Sequence, residues 1–488
     1  MVLDSIDNKK ALHTLGKTAM TRFYQNGHEL AAKLHKFELA KTLEEQPVIP
    51  APEIFNFESS SDSSSTFSGS TLLSGSFRLP LISECAAHLE LLEVFFVLRQ
   101  CILRSPEIDA AMGIEPIRET KTGRNGDTKT LKDKTLWHRR QDKWPKFLEF
   151  AVVRFLQWRK ALLEKPQDHF YLPPLDVIMV WHSFMLNPRL FQNHCKAEPL
   201  YKLRMPWEKI HDSIDNNEWH FNHHADAARH FETNTGLAPD LFDQLSSWVD
   251  PTSGTSDAEP QVPMVKLTAY NLEDLTAELR MTIESLDPNH QASKYMSHFQ
   301  DVDKDLAIQL KEAVIRQTAF VDKMNAHMWI RSPALQGTLR RGIERYDKFL
   351  KLLKLYPSTT VVPTLDIDLA WHTHQCSPSM YAKGMKERVG RFINHDDSIV
   401  KDKLDDGFAK SRKYFRIHFG QEYRLCGCWD CEVLMSEIEE GTAAAAATET
   451  GEELDMPAIV KRVDERVMYF RFAEFSRRQK KPLPVCQP

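Results

Sequence analysis

The spacing of apolar and polar residues along this chain predicts helices almost throughout. The stretches HLELLEVFFVLRQCIL (residues 88–103) and KFLEFAVVRFLQWRKALLEK (residues 146–165) repeat apolar side chains at i, i+3 and i+4 and exceed the usual length of a strand. No series of strand and hairpin signals interrupts them. The predicted fold class is therefore mainly α.

Three breaks in this pattern predict the organisation of the chain. Residues 46–76, rich in Pro and Ser, predict a disordered linker, and two further linkers are predicted at 250–263 and at the low-complexity stretch 439–457. The segments between them are an N-terminal helical segment (1–45), a first helical module (77–249), a second helical module that carries a cysteine cluster (264–438), and a C-terminal helix with a basic tail (458–488).

The two modules share a sequence motif. PPLDVIMVWHSFMLNPRLF at 173–191 matches PTLDIDLAWHTHQCSPSMY at 363–381 at a constant offset of 190 residues. The matched positions include Asp176 with Asp366, Trp181 with Trp371, His182 with His372, Pro188 with Pro378 and Phe191 with Tyr381; further on, an offset of 184 pairs His211 with His395, Phe231 with Phe415 and Gly236 with Gly420. Two duplicated helical modules joined by flexible linkers are the economical explanation.

Each copy of the motif predicts a helix, a sharp break at proline and a second helix. Pro173 and Pro363 mark helix starts, because the residue before a proline is disfavoured in helical geometry. Asn187-Pro188 and Ser377-Pro378 each supply an N-cap side chain followed by Pro at the first helical position. These are helix-Pro-helix repeats.

The segments DIDLAWHTHQ and GRFINHDD, with the Asp-x-x-x-x-Trp-His pattern in both copies, resemble the glycine-rich domain-containing protein-like family, a family of unknown function in plants and fungi. The resemblance covers about residues 80–435, and FGQEYRLCGCWDCE and RRQKKPLP extend it towards fungal members. With 18 glycines, the chain lacks the glycine-rich tail of plant members. The family implies no agreed reaction, so the resemblance by itself leaves open whether this protein is an enzyme.

The second copy of the motif contains a candidate metal site. Asp368 and His372 lie one helical turn apart on the face that also carries Trp371, and the turn at Ser377-Pro378 allows His395 to return towards them. Two histidines and one carboxylate suit a divalent metal, Fe or Zn, with positions left open. The alternative is a hydrogen-bonded core in which Asp368 or Asp366 accepts from a buried His372.

Copy one is incomplete at this site, because Ile178 replaces Asp368 and Phe184 replaces His374. A second candidate is CGCWDC, in which Cys426, Cys428 and Cys431 have spacing suited to zinc. His418 or Cys376 would supply the fourth ligand. Reduced cysteines buried near Trp429 are the alternative.

Charge and composition narrow the function classes. The net charge of −5 argues against a general nucleic-acid binder, and the basic stretch 118–143 is interleaved with Thr, Gly and Asp, which predicts a solvated loop. No apolar run approaches the 18 residues needed to span a bilayer, and the N-terminus lacks the apolar core of a signal peptide. With eight dispersed cysteines, these features predict a protein of the cytoplasm, or of cytoplasm and nucleus.

The functional prediction has two branches. The leading one is a non-enzymatic interaction or regulatory module, whose protein partner binds between the repeats or around residues 118–143. The alternative is a metal-dependent enzyme resembling non-haem iron oxygenases, acting through Asp368, His372 and His395. No nucleophile elbow or phosphate-binding glycine motif occurs in the sequence.

Overall fold

A computed structural model describes residues 39–42, 45–57, 78–122, 125, 128–164, 169–247, 272, 295, 297–299, 301–395, 401–448 and 454–485. Most of the predicted N-terminal helical segment (1–45) and the whole predicted linker 250–263 lie outside these residues. The described residues form seventeen α-helices and two small antiparallel sheets, which confirms the mainly helical fold.

Ten of the described helices precede residue 250: α1 (Ile82–Arg104), α2 (Pro106–Ala111), α3 (Leu136–Arg139), α4 (Lys143–Glu164), α5 (Leu175–Met185), α6 (Pro188–Cys195), α7 (Pro199–Lys202), α8 (Trp207–Asp212), α9 (Ala225–Thr235) and α10 (Leu241–Ser247). Seven follow residue 300: α11 (Lys304–His327), α12 (Leu335–Leu355), α13 (Leu365–Gln375), α14 (Pro378–Val389), α15 (Lys401–Phe419), α16 (Trp429–Thr448) and α17 (Met456–Arg478). Short 3₁₀ turns lie at Pro52–Phe55, Arg140–Asp142 and Trp329–Arg331.

Two hairpins occur among these helices. Strands β1 (Glu119–Thr122) and β2 (Thr128–Leu131) pair antiparallel, and β3 (Ile214–Asp215) pairs with β4 (His220–Phe221). The first hairpin lies in the stretch predicted to be a loop, and all of its strand residues are exposed. Its Thr and Lys side chains give neither face an apolar pattern, so hydrophobic periodicity could not reveal it.

The two halves of the chain are interleaved. Helix α4 packs against α5, and α12 packs against α13. The long helix before each pair, α1 or α11, packs against the pair of the other half. Helix α1 contacts α12 and α13, whereas α11 contacts α4 and α5. One hydrophobic core cluster consequently includes Phe150 and Trp181 from the first half together with Leu310 and Phe320 from the second.

An arginine–aspartate pair recurs at the same place in each half. Arg154 Nε on α4 lies 2.6 Å from Asp176 Oδ2 at the start of α5, and Arg345 Nε on α12 lies 2.6 Å from Asp366 Oδ2 at the start of α13. The first pair is deeply buried, while the Asp366 side chain is 20% exposed. Each pair joins its two helices at the N-terminal end of the second one. There the aspartate also interacts favourably with the positive end of the helix dipole.

The same two arginines, Arg154 and Arg345, also bind a later backbone segment of their own half. Their remaining guanidinium nitrogens donate to consecutive backbone carbonyls, at Ala238 and Pro239 in the first half and at Glu422 and Tyr423 in the second. Their guanidinium carbons lie 4.8 Å from the ring centre of Phe231 and 5.2 Å from that of Phe415. The helices that carry these rings each end just before a left-handed glycine, Gly236 or Gly420.

The helix-Pro-helix prediction agrees with the described backbone. Helices α5 and α13 begin two residues after Pro173 and Pro363, and α6 and α14 begin with Pro188 and Pro378. Neither residue before these last two prolines accepts the N-cap hydrogen bond that the sequence predicts. The amide of Asn187 instead donates to the carbonyl of Ser183, because the preceding helix ends within reach.

Parts of two predicted linkers adopt defined structure. Within 46–76, the 3₁₀ turn at Pro52–Phe55 packs against α1 and Phe57 is buried. Within 439–457, helix α16 continues to Thr448. None of the described helices combines the length and apolar composition needed to cross a bilayer. The cytoplasmic location stays a prediction.

Candidate metal centres

Helix α13 and the segment after α14 bring the predicted ligands together. Asp368 and His372 lie on successive turns of α13, and α14 ends at the left-handed Gly390, after which the chain returns towards α13. Tyr381 fastens this return, because its hydroxyl accepts from Trp371 Nε1 at 2.9 Å and donates to the carbonyl of Ile393 at 3.0 Å. His395, two residues later, meets Trp371 edge to face with ring centres 5.0 Å apart.

Three potential ligand atoms of these side chains converge. His372 Nε2 lies 3.1 Å from His395 Nε2, and Asp368 Oδ1 lies 3.3 Å from the former and 3.6 Å from the latter. The fold thus brings the three predicted side chains together, although His395 lies outside the helix that carries the other two. Metal binding by these residues stays a prediction.

These separations match the spacing of ligands around one ion. The circle through the three atoms has a radius of about 1.9 Å, so an ion bonded at about 2.1 Å to each would sit about 0.8 Å to one side of their plane. A carboxylate in a charge-assisted hydrogen bond to an imidazole would lie closer, at about 2.7–2.9 Å. Asp368 Oδ1 makes no hydrogen bond of normal geometry within the described part of the chain.

The centre is enclosed on one side. The side chain of His372 is 1% exposed and packs against Phe320 of α11, with ring centres 4.4 Å apart, whereas Asp368 is 22% exposed. Burial alone would raise the pKa of Asp368, but the neighbouring imidazoles of His372 and His395 outweigh it and lower that pKa below its usual value. The carboxylate is thus held in the form that binds metal.

The neighbouring polar residues of α13 have other partners. Asp366 pairs with Arg345, which removes it as the predicted hydrogen-bond acceptor of His372. His374 points away from the centre, and its Nδ1 lies 2.9 Å from the hydroxyl of Tyr346. Burial, with a smaller contribution from Arg78, lowers the pKa of His374 to about 3, so its ring is neutral.

The first half places a different group at the corresponding position. His182 Nε2 lies 2.9 Å from Nε2 of His88 on α1, and Ile178 provides no carboxylate. His211, matched by sequence to His395, instead contacts Glu90 through Nδ1 at 2.7 Å and stacks on Phe55. Sequence comparison missed His88 because it lies outside the repeated motif, in an apolar stretch of helix.

The cysteine cluster forms a second potential metal-binding group. The Sγ atoms of Cys426, Cys428 and Cys431 lie within 4.8 Å of one another, just before and within the first turn of α16. In the described residues no further His, Cys, Asp or Glu joins this group. His418 contacts the hydroxyl of Tyr356, and Cys376 is fully buried at the end of α13, so neither predicted fourth ligand is among them.

Comparison with known proteins supports the resemblance suggested by the motifs. Residues 267–384, which contain Asp368 and His372 but end before His395, match the family model described as glycine-rich domain-containing protein-like. Glycine-rich domain-containing protein 1 of Arabidopsis thaliana is 26% identical over 295 residues, covering 57% of this chain and 29% of that protein. Glycine-rich domain-containing protein 2 of the same plant is 26% identical over 261 residues, covering 52% and 26%.

The chain thus spans less than a third of the length of these curated relatives. No solved structure is significantly similar to it. The similarity of its motifs to fungal members and the missing glycine-rich tail stay predictions.

Proposed function

We propose that this protein is a metal-dependent enzyme whose centre is a divalent ion held by Asp368, His372 and His395. The observation that carries this proposal is the near-equal separation of their three ligand atoms, 3.1, 3.3 and 3.6 Å. In a purely polar network, two imidazoles and a carboxylate would be joined by short pairwise hydrogen bonds. Such hydrogen bonds do not require all three atoms to surround one common point.

The ligand set favours a particular class of ion and chemistry. Two histidines and one carboxylate on one face of an octahedral ion are typical of non-haem Fe(II) oxygenases, and zinc hydrolases also use two histidines and a carboxylate. With three protein ligands on one side, the other side is available to substrate. Asp368 is the most exposed of the three side chains, so access is from its side of the centre.

The metal content of the full chain tests this proposal. The aspartates of α13 give a matched pair, because Asp368→Asn removes a ligand whereas Asp366→Asn disturbs the ion pair with Arg345 in the same turn. After anaerobic loading with Fe(II), we expect one ion per wild-type and Asp366→Asn chain and none at this site in Asp368→Asn. Nitric oxide, which binds Fe(II) only at an open position, should give the paramagnetic iron–nitrosyl spectrum in the first two alone.

A folded wild-type chain that binds no Fe(II) or Zn(II) at these residues would end the proposal. A chain that binds iron but not nitric oxide would end its enzymatic part, because the coordination sphere would then be closed. Equal retention of metal by Asp368→Asn and wild type would show that the three residues form a polar network only.

A non-enzymatic interaction module is a second candidate, favoured by the β1–β2 hairpin. Its strand residues are all exposed, among them the apolar Leu131, and two large apolar side chains near the hairpin, Ile117 and Trp137, are exposed as well. The surface between the repeats is a poorer place for a partner, because α6 and α14 contact each other directly. Replacing 119–131 with a short turn should leave metal binding intact and remove any protein that co-purifies through this surface.

We also infer that the two halves descend from one duplicated module. The recurring Arg–Asp pair, its two carbonyl acceptors and its aromatic ring support this origin. The aspartates match at the offset of 190 and the carbonyl acceptors and rings at 184, while the arginines match after a slip of one residue. In this view the first half has lost the carboxylate ligand at Ile178, and only the second half carries the metal centre.

A further inference from the structure

We propose that Cys426, Cys428 and Cys431 form a second metal site, an exchangeable Zn²⁺ site with three thiolate ligands and a fourth position open to solvent. It shares no residue with the Asp368 centre and does not depend on the function proposed for that centre. Thiolates prefer soft or borderline ions, whereas two imidazoles and a carboxylate also suit iron, so the two sites would select different metals.

The three thiols lie closer to the surface than three of the chain's other cysteines. Cys85, Cys195 and Cys376 are all buried at 1% exposure or less, as is usual for free cysteine. Cys426 is exposed, and Cys428 and Cys431 are half-buried. Three thiols gathered at the surface contribute little to core packing, and a ligand role accounts for their grouping.

The loop is held in place by contacts that do not involve sulfur. The carbonyl of Gly427 accepts from Trp329 Nε1 at 2.8 Å and from His327 Nδ1 at 3.2 Å. A Cβ atom at position 427 would lie 2.8 Å from the Trp329 ring, so only glycine fits there without rearrangement. Trp429 is fully buried and donates to the carbonyl of His327 at 3.0 Å, which anchors the other side of the loop.

The sulfur spacing is close to that of a zinc site. Cys426 Sγ and Cys428 Sγ lie 3.4 Å apart, and all three sulfurs lie within 4.8 Å of one another. Tetrahedral zinc with bonds of about 2.3 Å separates its sulfur ligands by about 3.8 Å. Small movements of exposed side chains therefore suffice to bind the ion, because the backbone is already fixed.

The open fourth position makes the bound ion exchangeable. Structural zinc sites are closed by four protein ligands, but no fourth ligand residue belongs to this group within the described ranges. Water or the donor atom of a competing ligand can therefore reach the ion from the side of Cys426. We expect bound Zn²⁺ to pass rapidly to an added chelator.

Cobalt substitution tests this site separately from the Asp368 centre. With Co²⁺ as the probe, thiolate ligands give an intense near-ultraviolet charge-transfer band that nitrogen and oxygen ligands do not give. We expect this band at one equivalent of Co²⁺ per chain in the wild type, and its loss in the triple variant Cys426→Ser/Cys428→Ser/Cys431→Ser. Cys101→Ser, which removes an exposed cysteine of α1, is the matched control and should retain the band.

Three further results complete the test. Asp368→Asn should keep the cobalt band, so failure of the function proposed above would not remove it. A wild-type chain without the band at saturating Co²⁺, or a folded triple variant that keeps it, would overturn the thiolate site. Zinc that is bound by the three cysteines but resists a chelator as long as the fold persists would overturn the open position and indicate a closed structural site.

Discussion

The Nε2 atoms of His88 and His182 lie 2.9 Å apart in the core that the two halves share. The direction of this hydrogen bond follows from its neighbours. Thr373 donates its hydroxyl to the carbonyl of Leu369 at 2.8 Å, so the hydroxyl oxygen accepts from His88 Nδ1, also at 2.8 Å. His88 Nε2 is then an acceptor, and His182 Nε2 donates to it.

Both rings of this pair are neutral. Burial lowers the pKa of His182 to about 3 and also lowers that of His88, whose neighbour His182 adds to the effect. In the first half, His182 is therefore hydrogen-bonded to His88, which in turn is hydrogen-bonded to Thr373 of α13. In the second half, the matching His372 lies with Asp368 and His395 as one of three potential metal ligands. This difference, set by Ile178 and His88, separates a structural site from the candidate metal centre.

Removing the hydroxyl of Thr373, which is hydrogen-bonded to His88, should destabilise the fold. Thr373→Val leaves the Nδ1–H of the fully buried His88 without an acceptor, which costs about 1–3 kcal/mol. Urea unfolding measures this cost. Thr318→Val is the control, because its hydroxyl makes the same type of bond to Val314 within its own helix, and it should change the free energy of unfolding by no more than about 0.5 kcal/mol. Equal losses in the two variants would contradict the hydrogen-bond chain.

The two Arg–Asp pairs should differ in their contribution to stability. Asp176→Asn leaves the completely buried guanidinium of Arg154 without its counter-charge, and such a change costs about 3–5 kcal/mol. Asp366→Asn should cost less, because the Asp366 side chain is 20% exposed and water can solvate Arg345 in part. Thermal and urea unfolding of both variants compare the two values. A larger loss for Asp366→Asn would contradict this ranking.

Glu93 should make the free energy of unfolding depend on pH. Burial raises the pKa of this α1 residue from 4.5 to about 7, although Asn325 donates a hydrogen bond to it. The folded protein therefore binds more protons than the unfolded chain between about pH 4.5 and 7, so this residue's contribution lowers the stability as the pH rises through that range. Below pH 4.5 the penalty is absent.

The variant Glu93→Gln keeps an acceptor for Asn325 and cannot ionise. We expect it to be more stable than wild type at pH 8, by about 1–3 kcal/mol, and to lose that advantage at pH 4.5. Urea unfolding at both values measures the difference. An advantage that is the same at both values would show that the substitution acts through packing instead of ionisation.

Tyr381 should tune metal affinity without binding the ion. Its hydroxyl joins Trp371 to the carbonyl of Ile393 and so positions His395. Residues that orient ligands typically change metal affinity about 10–100-fold when they are altered. Tyr381→Phe should weaken binding at the Asp368 centre by that order in a calorimetric titration. Tyr346→Phe removes a buried hydroxyl that contacts His374 and should leave the affinity within about twofold. Equal weakening in both would indicate a general loss of packing.

The local parts of the site were accessible from the sequence. Helical periodicity places Asp368 and His372 on one face of α13, and proline chemistry predicts that α14 begins at Pro378. These inferences hold because they depend on residues within one or two turns of each other. The repeat added the pairing of Asp176 with Asp366, which the structure places in equivalent contacts.

The long-range parts were not accessible. His88 lies 285 residues from Thr373, and nothing in either local pattern indicates that α1 packs against α13. The sequence offset that matched His211 to His395 does not show which partner each side chain contacts. In the structure His211 contacts Glu90, whereas His395 lies beside His372. Interleaving of the two halves is a tertiary property, so periodicity within single helices cannot predict it.

X-ray absorption at the edge of the bound metal tests the central claim most directly. The triple variant Cys426→Ser/Cys428→Ser/Cys431→Ser, loaded with one equivalent of Fe(II) or Zn(II), reports on the Asp368 centre without sulfur from the second site. We predict nitrogen and oxygen ligands at about 2.0–2.2 Å with the outer-shell scattering of two imidazoles, and loss of this spectrum when Asp368→Asn is added. A folded chain that retains no metal, or retains it with an unchanged spectrum after Asp368→Asn, would contradict the claim.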